Sequence, residues 1–427
     1  MTAEVPGCDC GENRGFSRRR FLQGLGLTSL GVAGLGLGVP MLSARAAYAS
    51  TPTWDGPILL ILSLRAGFDG LSAIAPIGDP DYAIKRPSIA VPALTALATG
   101  DRMFGLHPAL APLKPLWDSG LMAAVHAVGT PDGSRSHFTA TAELERAAPG
   151  SSLRTGWLDR VLGAAGTGTV FQAVQLGSGT PGGSLSGPEP ALAAERLKDF
   201  TLAGADWVGS RMATTLKAVH TGTSLTAATP ALLTLAALDT TASIVAQDVT
   251  PANGTVYPAN NGLASALADA ARLIRANVGL QALTLDMGDW DMHSGLGAAG
   301  TGWMADNLGD LATALAAFAK DLGPLMSRVT VVTISEFGRR VAENGSGGVD
   351  HGHGNVAMLL GGGLNGSQVH GVWPTLSDAA LDQGDLAGTT DYRNVLAECL
   401  VKRLGLSPTL LPTVFPGLSV AYPGAFA

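Results

Sequence analysis

Short apolar runs rich in β-branched residues, each closed by glycine and polar residues, constrain this chain more than any other feature. The clearest pair lies in RVTVVTISEFGRRVAENGSGGVDHGHGNVAMLLGGG, from Arg328 to Gly363. There, Val329–Ile334 and Val356–Leu360 read as strands buried on both faces. Pro57–Leu64, Leu121–Val128, Phe171–Leu176 and Leu280–Met287 repeat the pattern. Strands apolar on every residue belong to sheets covered on both sides, the usual state of parallel sheets.

Helical stretches separate these runs. The spacing predicts a short helix over 107–119, then one that starts with Ser134 or Ser136 as N-cap and continues through Arg146. Further helices are expected over Gly156–Ala164, Gly262–Asn277 and Gly302–Leu322. Residues 177–190 are rich in Gly, Ser and Pro and read as a loop. Residues 191–278 contain Ala, Leu and Thr patterns and no comparable strand. The expected class is therefore α/β, with a mostly parallel central sheet, helices on both faces and a mainly helical insertion at about 178–278. In such folds ligands bind beyond the carboxyl ends of the strands.

The amino terminus reads differently. Ser17-Arg18-Arg19-Arg20-Phe21-Leu22-Gln23 resembles the twin-arginine export signature. An apolar run from Leu25 to Leu42 and two small-x-small sites, Ala44-Arg45-Ala46 and Ala47-Tyr48-Ala49, follow it. The glycines and Pro40 weaken that run as a spanning helix. Residues 1–49 are expected to be a signal peptide cleaved after Ala49, leaving a single domain over 50–427 with no membrane span. The implied partner is the twin-arginine translocation machinery, and the implied destination is periplasmic or extracellular. A net charge of −7 gives no footprint for nucleic acid. Cys8, Cys10 and Cys399 provide no disulfide framework.

Polar groups gather after the apolar runs. Arg65 and Asp69 follow the first. Ser134, Arg135, Ser136 and His137 follow the second. Asp289, Asp291 and His293 follow Leu280–Met287. Glu336, Asp350, His351 and His353 follow Val329–Ile334. Mixed carboxylates and imidazoles without thiolates suit a divalent ion such as Zn, Mn, Mg or Ca. In extended backbone Asp291 and His293 point the same way, as do His351 and His353. Plainer roles exist for several of these residues. Asp69 fits a turn, Ser134 and Ser136 fit helix caps, and Glu336 fits a partner for Arg339 or Arg340. His107 and His126 read as packed residues.

A family resemblance joins these pieces. The carrying motifs are Arg65-Ala66-Gly67-Phe68-Asp69-Gly70, Phe104-Gly105-Leu106-His107-Pro108, Ser134-Arg135-Ser136-His137-Phe138 and Trp290-Asp291-Met292-His293. Ser335-Glu336-Phe337-Gly338-Arg339-Arg340 and Asp350-His351-Gly352-His353-Gly354 complete the set. In this order they resemble the DUF1501 family of exported bacterial proteins, itself similar to the alkaline phosphatase/sulfatase superfamily. The resemblance implies an alkaline phosphatase-like fold with Asp69 as the first metal-binding acid and Ser134, or its rival Ser136, as nucleophile. It further implies Asp291 with His293, and Asp350 with His351 and His353, as later ligands. Glu336 stands where the superfamily has Asp followed by His, and Phe337 replaces that His. Asp289 stands where the family has a glycine. The implied activity is metal-dependent hydrolysis of phosphate or sulfate esters, of small molecules or polymers, with Arg65 or Arg135 holding non-bridging oxygens. The alternative is a non-catalytic, metal-stabilised binding protein of the cell envelope.

Overall fold

A computed structural model of the chain describes residues 53–166, 169–202, 211–223, 228–247 and 250–427. The expected signal peptide and its cleavage site lie outside these residues.

The central strand, β1 (Ile58–Leu64), is buried along its whole length. Alternate side chains serve opposite faces, as the pleat requires. Ile58, Leu60, Leu62 and Leu64 enter one core, while Leu59 and Ile61 enter a second. The sheet is completed by β2 (Met122–Gly129), β3 (Ala173–Leu176), β4 (Leu192–Ala194), β5 (Ala282–Met287), β6 (Val329–Ile334), β7 (Asn355–Gly361) and two short edge pieces, β8 (Val369–His370) and β9 (Thr390–Asp391). Its order is β8-β2-β7-β6-β1-β5-β3-β4, with β9 also on β2. All pairings are parallel except those of β7, which runs antiparallel to both β6 and β2.

Helices cover both faces. With α1 (Gly70–Ala73), α2 (His137–Arg146), α3 (Trp157–Ala165), α4 (Arg211–His220), α5 (Ala228–Ala246), α6 (Gly262–Ala276), α7 (Trp303–Leu322) and α8 (Tyr392–Glu398) as labels, α6 and α7 pack on the face of Leu60 and Leu62. The opposite face carries α3 and α8, through Trp157, Leu158, Val395 and Leu396. No helix among the described residues is long and apolar enough to cross a membrane.

The sheet is mostly parallel, as expected, and two details of direction and edge go beyond that expectation. Because β7 is antiparallel, residues 335–354 form a hairpin connection at the carboxyl edge of the sheet and need no crossover helix. The stretch expected to be mainly helical contributes β4, which pairs parallel to Val174–Leu176.

The hairpin folds back on itself backbone to backbone. Gly338 N–H donates to His353 O at 2.9 Å, Gly352 N–H to Gly338 O at 2.8 Å, and Arg340 N–H to Asp350 O at 2.8 Å. A Cβ at Gly338 would stand 1.9 Å from Gly354 O, and one at Gly352 would stand 2.4 Å from the Arg339 carbonyl carbon. Only glycine permits this approach, which sets the position of His351.

Candidate metal centre

His137, Asp291 and His351 converge at the carboxyl edge of the sheet, each presenting one ligating atom within 4.8 Å of the others. They come from the start of α2, the exit of β5 and the folded hairpin. His293, two residues after Asp291 in the turned segment beyond β5, joins them, while Met292 between them is buried. Distances from Asp291 Oδ1 are 3.0 Å to His293 Nε2, 3.1 Å to His351 Nε2 and 3.5 Å to His137 Nε2. His293 Nε2 and His351 Nε2 are 3.0 Å apart.

The other nitrogen of each ring is fixed. His351 Nδ1 faces the Arg135 carbonyl at 2.9 Å, His137 Nδ1 faces Glu336 Oε1 at 2.7 Å, and His293 Nδ1 faces Asp350 Oδ1 at 2.8 Å. A carbonyl and two carboxylates only accept, so each Nδ1 carries the hydrogen and donates it. In the neutral rings, three Nε2 lone pairs are then directed toward one carboxylate oxygen. Lone pairs meeting a carboxylate repel unless a cation lies among them. Moreover, His137 Nε2 is buried with no hydrogen-bond partner. Imidazoles held at Nδ1 by carboxylates or carbonyls are the outer support that metal-ligating histidines use. Tetrahedral bonds of about 2.0–2.1 Å separate ligand atoms by about 3.4 Å, close to the spacings seen. Asp291, Asp350 and Glu336 against Arg339 leave two excess negative charges, which one divalent ion would offset. The donor set fits a divalent metal.

Glu336 is buried, and its Oε1 also accepts from Ala66 N–H at 2.9 Å. The plainer expectation that it pairs with Arg339 or Arg340 is not met. Arg339 is also buried, and it ties three strand exits together. It donates to Gly67 O at 2.5 Å, Ala66 O at 2.6 Å, Trp290 O at 2.9 Å, Val349 O at 3.2 Å and Asp291 Oδ1 at 2.7 Å. Although partial burial opposes ionisation, the hydrogen bond and charge of Arg339 bring the Asp291 carboxyl below its ordinary value. Phe337 packs against both His137 and His351, with ring centroids 4.8 Å away in each case, so it props the imidazoles.

Several expected site residues stand elsewhere. Asp69 does not reach the cluster. Its carboxylate is buried against Arg86, with 2.6 Å from Nη1 to Oδ2 and 2.9 Å from Nη2 to Oδ1. Burial would raise its pKa, yet the Arg86 charge and hydrogen bonds bring it below the usual value. His353 turns to Thr130 O at 2.9 Å, with its Nδ1 4.0 Å from Asp382. The extended His351-Gly352-His353 segment thus supplies one imidazole to the centre, not two. Arg135 pairs with buried Asp385, and Arg65 pairs with Glu145 at 2.6 Å and Asp286 at 3.0 Å. Ser134 Oγ accepts from Ser136 N–H at 3.2 Å, and Ser136 occupies the N-cap position of α2 without a side-chain capping bond. His107 and His126 are packed, as expected. Arg339 and Arg86 were not foreseen as organisers, and nothing in their sequence neighbourhoods marks which acid each would meet.

Beside the centre lies an open cleft of about 390 Å³, bounded by Arg65 and Ala66, by Glu336, and by the α2 residues His137, Phe138 and Glu145.

Fold and cluster together define an α/β protein with a His–Asp–His constellation at the carboxyl edge of its sheet. Residues 90–404 match the family described as "Protein of unknown function (DUF1501)", and the chain belongs to that family. No curated protein matches it. Among solved structures it is similar to the C-terminal periplasmic domain of EcEptC from Escherichia coli in complex with Zn, at 8% identity over 73% of this chain and 75% of that one, TM-score 0.33. It is also similar to the lipoteichoic acid synthase LtaP from Listeria monocytogenes, at 10% identity over 78% and 74%, TM-score 0.32. A third is the phosphonate monoester hydrolase of Agrobacterium radiobacter, at 11% identity over 86% and 78%, TM-score 0.31. Values this low carry nothing about chemistry or substrate.

Proposed function

We propose that His137, Asp291, His293 and His351 hold one divalent metal ion, and that the chain is an exported, metal-dependent hydrolase of phosphate or sulfate esters. The observation that carries this reading is the set of three imidazoles, each with Nδ1–H committed, whose Nε2 lone pairs converge on Asp291. When bound, the ion supplies charge neutralisation for a phosphoryl or sulfuryl group and lowers the pKa of a nearby hydroxyl or water. The residues of the chain orient the reaction. Glu336 fixes the His137 ring, Phe337 keeps it from tilting, and the cleft beside it admits the ester. Ser136, exposed and adjacent to His137, and Ser134 are the hydroxyls that such a site would activate. In the net reaction water adds across the ester oxygen bond, releasing an alcohol and an acid. Export would use the twin-arginine segment at residues 17–23 and its translocation machinery, with 1–49 removed and 50–427 acting as one domain.

One observation favours a second reading, a metal-stabilised binding protein. Both arginines expected to hold an anion are already neutralised, Arg65 by Glu145 and Asp286, and Arg135 by Asp385.

Elemental analysis of natively exported protein, then thermal unfolding with and without the ion, tests the metal. Retention of about one equivalent and a gain near 2.7 kcal/mol at a hundredfold excess over Kd are expected, both lost in His351→Ala. No retained metal and an unchanged Tm after reconstitution would sink the proposal. Turnover of a phosphate and sulfate ester panel by the loaded protein then separates hydrolase from binding protein.

A further inference from the structure

We infer that the cleft beside the metal centre receives an aromatic group of the ester, with Phe138 as the residue that selects it. This rests on the hydrolase reading above and concerns the leaving-group side of the same site. Phe138 is 91% exposed, and among the described residues it is the only large, exposed hydrophobic side chain bordering the cleft. Helical spacing sorts the wall into two rows. His137, Thr141 and Glu145, four apart, form a polar row that runs from the centre, while Phe138 and Ala142 form an apolar row beside it. The small Ala142 leaves the space next to the ring open, so a flat apolar group can lie against the phenyl face while the ester reaches His137. Charge points the same way. The cleft offers Glu145 and Glu336 against one arginine already paired with Glu145. A substrate carrying a second anionic group finds no uncompensated cation there, whereas an aryl group loses nothing. A cleft of about 390 Å³ falls within the range of small-ligand sites, about 300–1,000 Å³.

The test compares phenylphosphonate with methylphosphonate binding to the metal-loaded full chain by calorimetry. Wild type should prefer the phenyl compound by about five- to tenfold, the size of an aromatic pair contact. Phe138→Ala should bring the ratio close to one, and Phe138→Tyr should keep it. Because the side chain is exposed, these variants fold. Equal affinities in wild type, a ratio that survives in Phe138→Ala, or no binding of either compound overturns the inference. A parallel arm measures KM for phenyl phosphate and methyl phosphate. Absent turnover with an intact binding ratio removes the hydrolase reading and leaves the aryl cleft standing. Turnover with equal KM values removes the aryl cleft and leaves the hydrolase.

Discussion

Replacing Arg339 by methionine should cost more stability than any other single change at the centre, and the amount follows from its bonds. The guanidinium holds carbonyls of Ala66, Gly67, Trp290 and Val349, together with Asp291 Oδ1. Methionine fills much of the volume but donates nothing, so four carbonyls on three separate strand exits lose a donor, and only Trp290 O keeps another, from Met292 N–H. Each buried acceptor left unsatisfied costs about 1–3 kcal/mol, and some regain water through the open side of the site. A total of about 3–5 kcal/mol is expected, the usual cost of breaking a buried charged network. Against a typical total stability of about 5–15 kcal/mol, that is a large share. Arg339→Lys restores the charge beside Asp291, but an ammonium has three donors and no planar fork. It should recover at most about half of the loss. Urea unfolding at pH 7, followed by both fluorescence and circular dichroism, gives the numbers. A loss below about 1 kcal/mol for Arg339→Met, or a lysine variant as stable as wild type, would refute the account of Arg339 as the tie between strand exits.

Other expectations follow from residues nearby. Burial pushes His126 from 6.5 down to about 4. Its Nε2 lies 3.0 Å from Ile74 O, and its Nδ1 accepts from Ala127 N–H, so protonation would break an existing bond. A depressed folded pKa means the contribution is intact above 6.5 and is lost as pH falls toward 4, by about 3 kcal/mol at 1.36 kcal/mol per unit. Denaturation from pH 7 to pH 4.5 should therefore slope less in His126→Gln than in wild type, and equal slopes contradict this. Asp289 adopts a left-handed φ of 66°, a conformation that glycine takes freely and β-branched residues resist. Asp289→Gly should stay within about 0.5 kcal/mol of wild type while Asp289→Val loses about 1–2 kcal/mol. Comparable losses in both would show that φ is not what matters there.

The strands were readable because burial on both faces writes itself as continuous apolar sequence, as in Ile58–Leu64 and Val329–Ile334. The direction of Asn355–Gly361 was not readable, since an apolar run looks the same whichever way it points. Leu192–Ala194 escaped because one leucine and two alanines at a sheet edge carry no pattern; their pairing with Val174–Leu176 is entirely tertiary. At the site, the Asp291/His293 alternation predicted a shared direction, and the cluster contains both. The same reasoning failed for His353, because the hairpin sets it against Thr130. Asp69 looked like a ligand by motif, but Arg86, far from any motif, claims it. The glycine expected at position 289 had a physical source, the left-handed backbone that Asp289 now adopts.

The ties made by Arg339 also bear on how the chain reaches its native state. Arg339 and Gly67 are separated by 272 residues, and His137 and Glu336 by 199, so the centre is made of contacts with very high sequence separation. Closing such loops costs entropy that only the finished sheet returns. Pairing of β1 with both β5 and β6 must come before Ala66, Trp290 and the hairpin can meet one guanidinium. A folding intermediate holding only α6, α7 and local turns would lack the proposed cation site altogether. Ion capture should therefore report on the last stage of folding, and an ion added to refolding protein should slow unfolding without speeding the formation of the sheet.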